Sequence, residues 1–204
     1  MTTRSTTAAL RAFRENGGTL RTRDALARGI HAATLYALRD QGKVIELVRG
    51  LYRLADADAP ENPDLSYVAA KAPYAAVCLI SALAYHNITT QIPSAIHLAV
   101  PRGSRSSISL APAPVKIYRY DPKTFELGLK THHIDGRPVR IYGVARSVVD
   151  AFKYRNKIGL DVAIEALHYA RERTKVTPAE IPRIARPLRV ANVITPYLQA
   201  TNDY

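Results

Sequence analysis

The sequence predicts an α+β protein built from two domains. Apolar residues recur at helical spacing through the first forty or so positions, and two alternating segments follow that meet at a glycine. An acidic stretch with two prolines then separates this block from a longer run of mixed strands and helices. The first block has the order of a winged helix-turn-helix. The second reads as a small, mostly antiparallel sheet with flanking helices.

A first helix is expected over Thr6 to Glu15, with Leu10 and Phe13 on one face, stopping at Gly17-Gly18. A second starts near Thr22 and ends at Gly29, with Ala25 and Leu26 facing inward. A third starts after Ile30 and runs to Gln41 before Gly42, with Leu35 and Leu38 as its core stripe. VIELV (44–48) and LYRL (51–54) alternate across Arg49-Gly50, the signature of a hairpin. These elements define a first domain over residues 1–55, and DADAPENPD (56–64) is the linker.

The second domain, residues 65–204, opens with helices near Asp64–Lys71 and over the apolar run Ala75–His86. Strands are expected at 95–100, 115–120, 131–134 and 138–144, the last two flanking the turn pair Asp135-Gly136. Helices then occupy Ala145–Tyr154, Leu160–Arg173, Pro178–Ala185 and Leu188–Ala200. The second of these is plainly amphipathic, through Leu160, Ala163, Ile164, Leu167 and Ala170.

Composition narrows the classes of function. The longest apolar run, Ala75 to Tyr85, falls short of the ~20 residues a membrane-spanning helix needs. The N-terminal MTTRSTTAALRAF develops no signal-peptide core. The single cysteine, Cys78, lies within the apolar run and has no partner for an internal disulfide. Together these predict a cytoplasmic protein with no membrane association. The net charge is +12, which favours polyanionic partners. Residues 1–55 carry ten Lys/Arg against four Asp/Glu, so the first quarter of the chain holds half of the excess.

Helix three is groove-sized, and a hairpin beside it can set cations against a nucleic-acid backbone. With Leu35 and Leu38 inward, Ala33, Tyr36, Ala37 and Asp40 turn outward, and His31 stands at the start of the helix. Lys43, Arg49 and Arg53 lie on or beside the hairpin as phosphate contacts, and Arg21, Arg23 and Arg28 around helix two add further ones. Asp40 opposes an anionic partner and is expected either to pair with a nearby arginine or to lie just off the contact surface. The competing reading is a small helical domain that binds another protein.

The stretch GIHAATLYALRDQGKVIELVRGLYRL (29–54) resembles the N-terminal winged helix of the AbiEi family of bacterial antitoxins, most specifically in RGLYRL. VARSVVDAFKYRNKIGLDVAIEAL (144–167) and RVANVITPYLQA (189–200) resemble helical segments of that family's C-terminal region. The resemblance implies a transcriptional autorepressor and antitoxin that opposes a nucleotidyltransferase toxin of the AbiEii kind, without requiring a stable complex. It also implies operator DNA with inverted repeats as the partner. His31 to Arg39, including Thr34, becomes the recognition helix, and Arg49 to Arg53 the wing. The chain departs from the family in having Ala32, Ala33 and Ala37 where relatives often carry basic residues.

No enzyme and no cofactor are expected. His31, His86, His97, His132, His133 and His168 form neither HExxH nor HxH, and adjacent strand residues such as His132 and His133 point to opposite faces. Phosphate-binding glycine loops and a nucleophile elbow are missing. Asp121, Lys123, Glu126 and Lys130 have the wrong spacing for a metal-dependent nuclease. Asp150 is expected to cap locally or to pair with Arg146 at i,i+4. In PRGSRSSIS (101–109), Arg102, Arg105 and Ser106 could hold a phosphate backbone of DNA or RNA, against the simpler reading of a solvated loop.

Overall fold

The structure, a computed structural model, describes residues 3–57, 62–104, 108, 110, 113–134, 137–177 and 179–200. The chain forms two compact units. One comprises Met1–Pro73, Leu110–Pro112 and His132–Val139; the other comprises Tyr74–Ser109, Ala113–Thr131 and Arg140–Tyr204.

The first unit contains α1 (Thr3–Arg14), β1 (Thr19–Arg21), α2 (Thr22–Ala27), α3 (Ala32–Asp40), β2 (Val44–Val48), β3 (Leu51–Leu54) and α4 (Pro63–Lys71). Its sheet has the order β1-β3-β2 and is antiparallel, with Leu20 opposite Tyr52 and Val44 opposite Leu54. β1 is three residues long, too short to show the alternation by which a strand is read from sequence. Ala9 and Phe13 of α1 pack with Leu20, Ala25, Ile30, Leu35, Leu38, Val44, Tyr52 and Leu54 into one core. Leu26, expected inward, is exposed, so Ala25 alone anchors α2. The expected boundary at 56–64 does not hold for α4, which belongs to the first unit. Long-range bonds decide this: the Arg21 guanidinium donates to the Ala69 carbonyl at 2.7 Å, and Lys71 donates to the Arg49 carbonyl.

The second unit is built on β4 (Ala76–Val77), α5 (Leu79–Tyr85), β5 (Ile96–Pro101), β6 (Val115–Tyr120), α6 (Pro122–Phe125), β7 (Leu129–Ile134) and β8 (Arg137–Tyr142). The distal parts of β7 and β8 are counted with the first unit. Helices α7 (Val144–Lys153), α8 (Arg155–Ile158), α9 (Leu160–Arg173), α10 (Glu180–Ala185) and α11 (Ala191–Ala200) follow. The strand order is β6-β5-β4-β8-β7. The sheet is mixed rather than mostly antiparallel, since β5 runs parallel to β6 and β4 parallel to β8, while β4 and β5 are antiparallel. The run expected as one helix over Ala75–His86 divides into β4 and α5, with Leu79 at φ 46 in the corner. A run buried on every side has no periodicity to separate a central strand from a core helix. The expected turn Asp135-Gly136 lies outside the described residues.

Helices α7, α9, α10 and α11 supply the main core of this unit. Within it, Arg146 and Asp150 of α7 pair at 2.9 Å, as their spacing predicts. The same guanidinium donates to the Thr124 and Leu127 carbonyls, both at 2.7 Å, and stacks over the Tyr142 ring at 4.5 Å. Gly128 (φ 73) allows this close approach, because a Cβ there would lie 2.7 Å from the Arg146 Cβ.

His97, buried on β5, has its Nδ1 3.2 Å from the Tyr118 hydroxyl. Burial, and secondarily the Lys116 charge, lowers its pKa from 6.5 to about 4. The unfolded chain therefore takes up this proton before the folded one does. The stability owed to the neutral ring is present above pH 6.5 and is lost as pH falls toward about 4. Urea unfolding midpoints should drop over that interval, and His97→Gln should flatten the drop.

Candidate nucleic-acid interface

Leu35 and Leu38 of α3 are buried, and each such leucine stabilises its placement by roughly 1.5–3 kcal/mol. That packing sets the rotation of the helix. Thr34 is buried with them, its hydroxyl 3.5 Å from that of Ser5. His31, Ala33, Tyr36, Arg39 and Asp40 are exposed, and Ala37 is half-buried. His31 is the N-cap residue of α3, although its side chain makes no capping hydrogen bond. Between α2 and α3, Gly29 adopts φ 75, and the Ile30 amide returns to the Ala25 carbonyl at 3.0 Å.

The β2–β3 connection is tied down on three sides. The Thr22 amide donates to the Gly50 carbonyl at 3.0 Å, and the Gly50 amide donates to a Glu46 carboxylate oxygen at 2.7 Å. Lys71 Nζ donates to the Arg49 carbonyl. Gly50 sits at φ 74, and a Cβ there would meet the Thr22 hydroxyl at 3.3 Å. The pairing slips between Glu46 and Val48, a bulge-like irregularity of the kind that bends a strand and increases its twist. With its backbone held this way, Arg49 keeps an exposed side chain.

These parts enclose an open groove of about 420 Å³ lined by Thr22, Tyr36, Arg39, Glu46, Arg49, Gly50 and Tyr52. The Arg39 guanidinium lies over the Tyr36 ring, 5.3 Å from its centroid. Its Nε and Nη2 donate to Asp40 Oδ1 at 3.0 and 2.9 Å, and its Nη1 is 4.0 Å from Glu46. The hydrogen bond and charge of Asp40 raise the Arg39 pKa further above its already high value. Burial, then the charge of Glu46, raises that of the Tyr52 hydroxyl. The groove thus combines two arginines, two tyrosines and the Glu46 carboxylate, with Asp40 bonded to Arg39.

Not every expected cation reaches the surface. Arg53 is buried in the central strand β3 and Thr34 in the α3 core, so neither is available to a partner as predicted. The alternation that suggested an exposed Arg53 fails because both faces of β3 are covered. Arg21 is mostly buried, bonded to Ala69 and 3.6 Å from Asp24. Arg28, though exposed, donates to the Asp24 carbonyl and to the Asn16 side chain. Arg23 and Lys43 are exposed, Arg23 lying 3.4 Å from Asp24. Asp40 pairs with Arg39, as expected of it. Lys71 and Arg137 were missed by sequence reasoning. Arg137 donates to the Thr19 carbonyl and lies 4.0 Å from Asp24. No local pattern links it to a strand 118 residues earlier.

Elsewhere, Arg102 is exposed, while Arg105 and Ser106 lie outside the described residues. Asp121 caps α6 by accepting from the Lys123 amide, and Glu126 pairs with Arg140. Among the described residues, no three His, Cys, Asp or Glu side chains group as metal ligands, and no helix is long and apolar enough to cross a membrane.

Part of the first unit is similar to a known family. Residues 8–55 match the family model described as "Transcriptional regulator, AbiEi antitoxin". The segment that carries the groove is therefore similar to that of AbiEi-type transcriptional regulators. The fold as a whole is similar to the crystal structure of the RV2827C protein from Mycobacterium tuberculosis. The TM-score is 0.57 at 13% identity, covering 90% of this chain and 72% of that one. No curated protein matches the sequence.

The contrasting burial of Arg49 and Arg53 gives a direct check. Arg53→Ala should destabilise the protein by about 1–3 kcal/mol and lower its melting temperature by several degrees, whereas Arg49→Ala should leave the melt unchanged.

Proposed function

We propose that the chain is an operator-binding autorepressor and antitoxin, with α2 and α3 as its helix-turn-helix and the β2–β3 hairpin as its wing. The single observation that carries this reading is the groove in which α3 and the hairpin tip bring Tyr36, Arg39 and Arg49 together, within the segment that matches the regulator family. Such a helix fits a major groove while the hairpin arginine meets the neighbouring phosphates. His31, Ala33, Tyr36, Ala37 and Arg39 face base edges in this arrangement. Lys43, Arg49 and Arg23 neutralise backbone charge. Three alanines at 32, 33 and 37 leave few base contacts per copy, so two copies on inverted repeats upstream of the chain's own gene form the working complex.

The opposed partner is a nucleotidyltransferase toxin. The protein acts in the cytoplasm by repression and antagonism, without catalysis of its own. A second reading, direct neutralisation of the toxin by contact, would be favoured by co-purification of a stable complex.

Gel shifts with the upstream repeats test the first reading. Binding should weaken steeply with salt, and Arg49→Ala should lower affinity about equally for all sequences while reducing the salt slope by about one. An upstream duplex bound no better than unrelated DNA, at several salt concentrations, would overturn it.

A further inference from the structure

We infer that Arg39 reads a guanine and that Asp40 and Glu46 act as an acidic latch on it, making these two carboxylates determinants of sequence specificity. The inference rests on the proposed DNA-binding reading and deepens it. Arg39 is exposed on the outward face of α3, yet its fork is already occupied. Two of its nitrogens donate to one Asp40 oxygen, a third lies at the edge of ion-pair distance from Glu46, and its central carbon lies over the Tyr36 ring.

A guanidinium held in this way can exchange its acceptors on DNA. The N7 and O6 atoms of a guanine present two acceptors in the major groove at a spacing that matches an arginine fork, and they replace the carboxylate in kind. A mismatched base offers at most a single acceptor at that point, which does not draw the fork from Asp40; a phosphate offers two, but it is the same at every site and carries no sequence information. At a mismatched base Arg39 therefore stays on its carboxylate and the contact is forfeited. The latch opens for a guanine and withholds the arginine from other bases. Specificity arises as much from this withholding as from the hydrogen bonds to guanine.

Asp40 has no other role in view, since its side chain is exposed and its bonded partner is Arg39. Glu46 additionally accepts from the Gly50 amide, and glutamine at that position keeps an oxygen for this bond. The two acids can thus be neutralised without dismantling the groove. Tyr36, whose ring centroid lies 5.3 Å from the Arg39 guanidinium carbon, supports the fork by a cation–π contact.

The test uses the full chain and a duplex that it selects from a randomised pool, compared with a scrambled duplex at the same salt. Asp40→Asn should tighten binding to the scrambled duplex by about five-fold and narrow the ratio of selected to scrambled affinity, with Glu46→Gln acting in the same direction. Arg39→Ala should flatten the preference at one G·C pair of each half-site by about ten-fold, with unchanged melting temperature. If the wild type selects a duplex but Asp40→Asn leaves the ratio unaltered, the latch is refuted while operator binding stands. Selection of a duplex with no G·C position sensitive to Arg39→Ala refutes the guanine contact. If the wild type binds no duplex, the DNA-binding reading and the latch fail together.

Discussion

Burial of Leu35 and Leu38 is the constraint on which the candidate interface depends. Both side chains enter the core that Phe13, Leu20, Val44 and Tyr52 complete, so α3 cannot rotate without exposing them. The cost of exposing a leucine exceeds what any one surface contact of the helix would return. Every feature of the outward face follows from that rotation: Tyr36 and Arg39 on the groove, His31 at the helix start, Thr34 withdrawn. The hairpin is then held against the same groove through its backbone at Arg49 and Gly50, which bond to the Lys71 ammonium, the Thr22 amide and the Glu46 carboxylate.

Charge in this unit is arranged with less surplus than its composition suggests. Asp24 stands within 4.0 Å of Arg21, Arg23 and Arg137 and partly offsets all three. Arg137 and Arg21 are both lowered in pKa, chiefly by burial, and each is also disfavoured by a neighbouring arginine. These guanidiniums act as structural ties between segments. The cations left for a partner are fewer, with Lys43 and Arg49 exposed and free of any carboxylate in hydrogen-bonding or ion-pair contact among the described residues. Arg23 is exposed beside Asp24, and Arg39 is held by Asp40.

The second unit solves a different problem. A mixed sheet with short central β4 needs its helices fixed against it, and the Arg146–Asp150 pair does this from inside the core. Removing two charges from water is costly, and the cost is offset here because the guanidinium also satisfies two carbonyls of the α6 turn and stacks on Tyr142. Such an arrangement makes the strand-to-helix junction specific at the expense of tolerance to substitution.

Sequence alone determined the order of α1, α2, α3 and the β2–β3 hairpin, the inward stripe of α3, the amphipathic α9 and the i,i+4 pair of Arg146 and Asp150. Each is a local periodicity or spacing, legible because helix and strand geometry repeat within a few residues. Tertiary structure alone decided that Arg53 and Thr34 are buried, that Ala75–His86 is a strand and a helix, that the sheet is mixed, and that α4 and Arg137 belong with the first unit. Those outcomes depend on what covers each surface and on partners as far as 118 residues away. A one-dimensional pattern records which side chains avoid water, but not which distant segment shields them.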